Sequence, residues 1–125
     1  MTTPISVTLE FSDDDWKRFE ALPGVLPKGY GAGEENLARM VFSGGLKANE
    51  GRSSAQALPS SVAKTLTLMA FGSQDTEITT LEKAWGLSRA EVLRIVVVDG
   101  LASVEGAAAQ FKAGNKIAGP SKGDA

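Results

Sequence analysis

Two residue types are missing from this chain of 125 residues, which contains no cysteine and no histidine. Their absence excludes disulfides, metal sites built on thiolate or imidazole ligands, and catalysis by a thiol nucleophile or a histidine base. A nucleophile would have to be an activated serine, threonine or lysine, and no motif supplies the groups that would activate one. We therefore expect neither an enzyme nor a protein that uses a metal or another cofactor.

Long apolar runs and an excess of basic residues are also missing. The longest aliphatic run, Ile95–Val98, is far short of the ~18 residues that cross a bilayer. The N-terminus lacks the basic and apolar regions of a signal peptide, so we expect a cytoplasmic protein with no membrane partner. Thirteen basic residues against 15 acidic ones give a net charge of −2, whereas proteins that bind nucleic acids usually carry a basic surplus.

An internal repeat is the most informative feature that is present. Residues 37–51, LARMVFSGGLKANEG, align with residues 92–106, VLRIVVVDGLASVEG, at a constant offset of 55. Six of the 15 aligned positions carry an apolar side chain in both segments. The identical pairs are Arg39/Arg94, Val41/Val96, Gly45/Gly100, Leu46/Leu101, Glu50/Glu105 and Gly51/Gly106.

Upstream of each repeated segment, the pattern predicts a strand and then a helix. Residues 5–11, ISVTLEF, and residues 65–71, TLTLMAF, alternate apolar and polar side chains. Ser12 and Ser73, each followed by acidic residues, are the predicted N-caps of the first helices. The apolar stripes of these helices are Trp16, Phe19 and Leu22 in the first copy, and Ile78, Leu81 and Trp85 in the second.

A second helix is predicted in each copy. In the second copy, Gly86 ends one helix and a capping box, Ser88-Arg-Ala-Glu91, begins the next. In the first copy a longer, glycine-rich connection precedes Glu34. An alternative interpretation makes residues 92–98 a buried strand, because β-branched residues favour sheets.

The domain organisation predicted from these features has four parts. Residues 1–51 form a first strand-helix-helix unit, and residues 64–106 form a second one. Residues 52–63 are a linker of small residues, long enough to bring the second strand beside the first. Residues 107–125, with several lysines, are a flexible C-terminal tail.

One strand and two helices enclose too little core to be stable alone. Two such units that pair their strands give a mainly α fold with a short two-stranded antiparallel β ribbon. Residues 64–104, which begin KTLTLMAFG and include GLSRAEVLRIVVV, resemble the ribbon-helix-helix (Arc/MetJ-like) family, and residues 5–49 resemble it more loosely. Two units in one chain are similar to the tandem, TraY-like form of the family, which implies a tandem ribbon-helix-helix pseudo-dimer.

The resemblance implies a sequence-specific DNA-binding protein, acting as a transcriptional repressor or a plasmid accessory factor. Its partner would be double-stranded DNA, with the ribbon in the major groove and the start of the second helix on a phosphate. Gly33, Glu34 and Glu35 of the first copy depart from such a phosphate site. The side chains that the resemblance places on DNA are Ser6, Thr8, Glu10, Thr65, Thr67, Met69, Ser88 and Arg89.

A second hypothesis follows from the charge of the chain. The pI near 5.1, Glu10 on the ribbon and the acidic start of the second helix in the first copy all disfavour contact with phosphates. They favour a ribbon-helix-helix scaffold that no longer binds DNA. Such a scaffold would self-associate or bind a protein partner through its strand edges and helices.

Overall fold

The computed structural model describes residues 5–26, 33–58 and 62–118, with side chains described as far as residue 110. These ranges contain two strands and four helices. They are β1 (Ile5–Phe11), α1 (Asp13–Val25), α2 (Glu34–Ala48), β2 (Lys64–Ala70), α3 (Gly72–Trp85) and α4 (Arg89–Ala118). The prediction of a mainly α fold with a short two-stranded antiparallel ribbon is confirmed.

The ribbon forms because both strands alternate apolar and polar side chains, so that one face is buried and the other is exposed. β1 and β2 pair antiparallel, and Thr8 lies opposite Thr67 at the centre of the register. The inner face packs on the helices and contributes Val7, Leu9, Phe11, Leu68 and Ala70 to the core.

The starts of the first helices agree with the sequence in one copy and differ in the other. Ser12 caps α1 as predicted, because its Oγ accepts a hydrogen bond of 3.1 Å from the backbone N–H of Asp15. The prediction of Ser73 as the N-cap of α3 is wrong, since α3 begins at Gly72 and Phe71 is the cap. The side chain of Gln74 accepts a hydrogen bond of 3.0 Å from the backbone N–H of Phe71 and so fixes the earlier start.

The second helices, α2 and α4, cross at two glycines. A Cβ atom added to Gly45 would lie 1.9 Å from the backbone oxygen of Val96, and one added to Gly100 would lie 1.9 Å from that of Val41. Only glycine allows two helix backbones to approach this closely. The two contacts are reciprocal, because the offset of 55 that relates the repeats exchanges one for the other.

The segment 92–98 is helical and lies within α4, so the alternative interpretation as a strand is wrong. The predicted capping box is present: Ser88 N–H donates to Glu91 Oε1 at 2.9 Å, and Glu91 N–H donates to Ser88 Oγ at 3.2 Å. This local start favours a helix, and three of the four valines of the segment, Val92, Val96 and Val97, are buried in a helix that packs on α2. Their β-branching has only a small cost in a helix whose apolar face is covered.

α4 continues to Ala118, beyond position 106, where the second unit was expected to end. Residues 107–118, assigned from sequence to a flexible tail, are therefore helical. The run Ala107–Ala109 explains the continuation, because alanine has the highest helix propensity. Positions 119–125 of the expected tail and 59–61 of the expected linker lie outside the described residues.

Candidate nucleic-acid interface

The outer face of the ribbon brings together all six strand residues that the resemblance placed on DNA. The register makes them three cross-strand pairs: Ser6 with Met69, Thr8 with Thr67, and Glu10 with Thr65. All are exposed except Glu10, which is half-buried. The face is therefore a continuous row of four short hydroxyl side chains with Met69 and Glu10 at opposite ends, presented by a ribbon narrow enough for the ~12 Å major groove of B-DNA.

The centre of this face is a pair of threonines. Thr8 Oγ1 and Thr67 Oγ1 lie 3.2 Å apart, and either hydroxyl can be the donor. A hydroxyl has one donor hydrogen and two acceptor lone pairs. The shared hydrogen bond therefore fixes both side chains and leaves hydrogen-bonding capacity for a ligand that approaches the ribbon.

Glu10 is the one charged side chain among the six, so the outer face carries a formal charge of −1. The nearest basic residue on the same strands is Lys64, which lies opposite Phe11 at the end of β2. Its Nζ lies 5.7 Å from the centre of the Trp16 ring, a cation–π distance. Lys64 thus extends along the rim of the core rather than over the outer face.

Arg89 lies at the start of α4, but its guanidinium is engaged by α3. Nη1 donates to Asp75 Oδ1 at 2.6 Å, Nε donates to Glu82 Oε2 at 2.8 Å, and Nη2 donates to Thr79 Oγ1 at 3.1 Å. The hydrogen bonds to Glu82 and then to Asp75 raise the pKa of Arg89 above its ordinary value. Two carboxylates thus neutralise the residue that was predicted to hold a DNA phosphate.

Ser88 is engaged too, because its hydroxyl and its backbone N–H form the capping box with Glu91. The two residues that the resemblance assigned to a phosphate are adjacent, as expected, and both make bonds within the fold. The binding role predicted for Ser88 and Arg89 stays a prediction; the bonds of Arg89 link α4 to α3, and those of Ser88 cap the start of α4. No local pattern predicts the link to Asp75, which lies 14 residues from Arg89.

The start of α2 flanks the ribbon along β2 and is acidic. Glu34 and Glu35 line a hollow together with Thr67 and Met69 of the outer face. Gly33, the N-cap of α2, has a φ of +90° and provides no side-chain cap. A helix N-terminus favours anions through its free N–H groups, but two carboxylates in the first turn would repel a phosphate here.

Arg39 is a residue near the interface that the functional prediction left out. Its Nη1 donates to the backbone oxygen of Met69 at 2.9 Å, and its Nη2 donates to Glu35 Oε2 at 3.2 Å. Arg39 therefore ties α2 to β2 beside the outer face. The sequence signal for Arg39 was that the aligned position of the second copy is also an arginine, Arg94. Arg94 is buried, with 8% of its surface exposed.

The described residues offer no metal site of the acidic kind and no membrane span. Within residues 5–26, 33–58 and 62–118, no group of three or more acidic side chains is placed to hold a metal ion. No helix in the described part of the chain is long and apolar enough to cross a membrane.

Comparisons with protein-family models, with curated proteins and with solved structures find no match to this chain. Its function must therefore be inferred from its own residues.

Proposed function

We propose that this chain is a sequence-specific protein that binds double-stranded DNA, a transcriptional repressor or plasmid accessory factor that inserts its β ribbon into the major groove. The observation that carries the proposal is the outer face of the ribbon. Three cross-strand pairs present hydroxyl, carboxylate and thioether groups outward from one narrow surface. Hydroxyls hydrogen-bond base edges, and apolar atoms contact the thymine methyl group.

We further propose that the chain is a tandem ribbon-helix-helix pseudo-dimer. The reciprocal approach of Gly45 to Val96 and of Gly100 to Val41 supports a twofold relation between α2 and α4. The strands also support a twofold relation. Thr8 and Thr67 are 59 positions apart, and the same shift carries Ser6 to Thr65 and Glu10 to Met69, so the pair Ser6/Met69 exchanges with the pair Thr65/Glu10. DNA read by such a ribbon would itself be close to palindromic, since operator symmetry mirrors protein symmetry.

The charges predict how such binding would depend on salt. Glu10, Glu34 and Glu35 lie on or beside the ribbon, and Arg89 is neutralised by α3. Contacts to phosphates supply the salt-dependent, sequence-independent part of the affinity. With few such contacts, most of the affinity would come from base edges, and the dependence on salt would be shallow.

The experiment is selection from a library of random DNA duplexes at roughly 0.1 M salt, where electrostatic affinity is still visible. The purified chain should enrich a short motif. Thr8→Ala combined with Thr67→Ala should weaken binding to that motif about tenfold or more, since a good base contact is worth about 1–3 kcal/mol. Thr80→Ala, which makes the same change at an exposed position of α3, is the matched control.

Arg89→Ala distinguishes a phosphate contact from a structural bond. If Arg89 binds a phosphate, its loss should weaken binding to all sequences and lower the salt slope by about 1. The contacts with Asp75, Glu82 and Thr79 instead predict an unchanged slope and a lower free energy of unfolding. Failure of the folded protein to enrich any motif would refute DNA binding.

The second candidate function is a scaffold for protein assembly that does not bind DNA. The acidic flank formed by Glu34 and Glu35 beside the ribbon favours it, because that flank repels phosphates. Among the described residues each strand of the two-stranded sheet also has one edge without a strand partner, and such edges are ready assembly surfaces. This function predicts an oligomer in sedimentation equilibrium and no DNA affinity even at low salt.

A further inference from the structure

The two ends of the ribbon present different chemistry although their backbones are equivalent. The shift of 59 that exchanges the strands superposes Ser6 on Thr65, and both are short hydroxyls. The same shift superposes Glu10 on Met69. One end of the outer face therefore presents Thr65 with a carboxylate, and the other presents Ser6 with a thioether.

The carboxylate and the thioether select different bases. An ionised carboxylate is a pure acceptor, so Glu10 matches the N4 amino donor of cytosine and is mismatched to the O6 and N7 acceptors of guanine. Met69 is 45% exposed. It offers a polarisable apolar surface that matches the thymine methyl group.

Both side chains are available for such contacts. Glu10 forms no ion pair within the described residues, and its cross-strand neighbour Thr65 is exposed. Arg39 bonds the backbone oxygen of Met69, which holds this end of β2 while the side chain stays outward. The difference between the two ends is therefore fixed in the folded chain.

We infer that the DNA target is an imperfect palindrome whose two halves differ at one outer position, with a C·G pair at the Glu10 end and a T·A pair at the Met69 end. Thr8 and Thr67 contact its centre. The inference rests on the proposed function. It adds that Glu10 and Met69 are specificity-determining residues and that the chain binds its site in one orientation only.

The test is parallel selection from random DNA duplexes with the full chain and two ribbon variants. Glu10→Met makes the two ends alike, and its motif should become symmetric, with T·A at both outer positions. Met69→Glu should give C·G at both. Exchanging the preferred outer pair for the other should weaken binding by the wild-type chain about five- to a hundredfold. Glu20→Met, at an exposed position of α1, is the matched control and should leave the motif unchanged.

Circular dichroism melts of the variants establish that each is folded, as expected for changes at outward-facing positions. A symmetric motif for the wild-type chain would overturn the inference and leave DNA binding intact. An asymmetric motif that neither variant alters would do the same, since the asymmetry would then come from other residues. Enrichment of no motif at all would overturn the proposed function and the inference with it.

Discussion

Replacing Gly45 with alanine should force α2 away from α4. The added Cβ would lie 1.9 Å from the backbone oxygen of Val96, and ordinary van der Waals contact begins at 3.4 Å. The obstacle is a backbone atom, so no side-chain rotation can relieve the overlap. The helices must separate by about 1.5 Å at their closest point, which loosens the packing of the core around Val41 and Val96.

The magnitude follows from two opposing effects. Alanine stabilises a helix interior by about 0.5–1 kcal/mol relative to glycine. Overpacking a core typically costs about 1–3 kcal/mol, and sometimes more, and an overlap with backbone belongs at the upper end of that range. We expect Gly45→Ala to lower the free energy of unfolding by about 2 kcal/mol, out of the roughly 5–15 kcal/mol typical of a domain.

The measurement is urea denaturation of the full chain, with the free energy of unfolding obtained by linear extrapolation. Gly100→Ala should be destabilised to the same degree, because its Cβ would meet the oxygen of Val41 at the same 1.9 Å. Gly106→Ala is the matched control in α4, since nothing lies within 4 Å of its Cβ, and it should gain about 0.5–1 kcal/mol. Equal stabilities for Gly45→Ala and Gly106→Ala would refute the close crossing of the two helices.

Two further predictions concern polar contacts between elements. Arg18→Gln should lower stability by less than about 1 kcal/mol at neutral pH, because the partly exposed pair with Glu105 is lost. Arg18 holds the pKa of Glu105 below its ordinary value, so this stability is present at neutral pH and begins to be lost as the pH falls below about 4.3. The urea curves of the two proteins should converge only when the pH has fallen through the lowered pKa of Glu105. Asn49→Ala should cost about 1–3 kcal/mol, because buried Asn49 donates to the oxygen of Gly45 and to Asp99; an unchanged denaturation midpoint would contradict this.

Local patterns predicted most of the architecture. Both strands were placed within one residue of their observed bounds, because alternation with a period of two is visible in seven residues. The start of α4 followed from the capping box of Ser88 and Glu91, which lies within one helical turn. The start of α3 was misplaced because Gln74 could not be recognised as the capping side chain, and serine is the commoner N-cap.

The outer face of the ribbon was predictable for the same reason, since residues two apart on a strand share a face. The partners of Arg89 were not, because Asp75 and Glu82 reach it only when α3 and α4 pack together. The contact of Arg39 with the carbonyl of Met69 spans 30 residues and likewise has no local signature. Strand parity thus identified the outward side chains, whereas the ion pairs of the basic residues depend on tertiary packing.

The charges that remain around the ribbon decide what kind of DNA binding this fold can support. Arg89 and Arg18 are committed to carboxylates within the chain, so their charges add little to the field that a duplex would meet. Glu10 on the outer face and the acidic start of α2 beside it oppose contacts with phosphates, so we expect weak non-specific affinity. A protein that binds DNA on these terms discriminates through base contacts, so its ratio of specific to non-specific affinity is high and its salt slope is shallow. A steep slope would require cations on the outer face of the ribbon, and none of its six outward side chains among the described residues is basic.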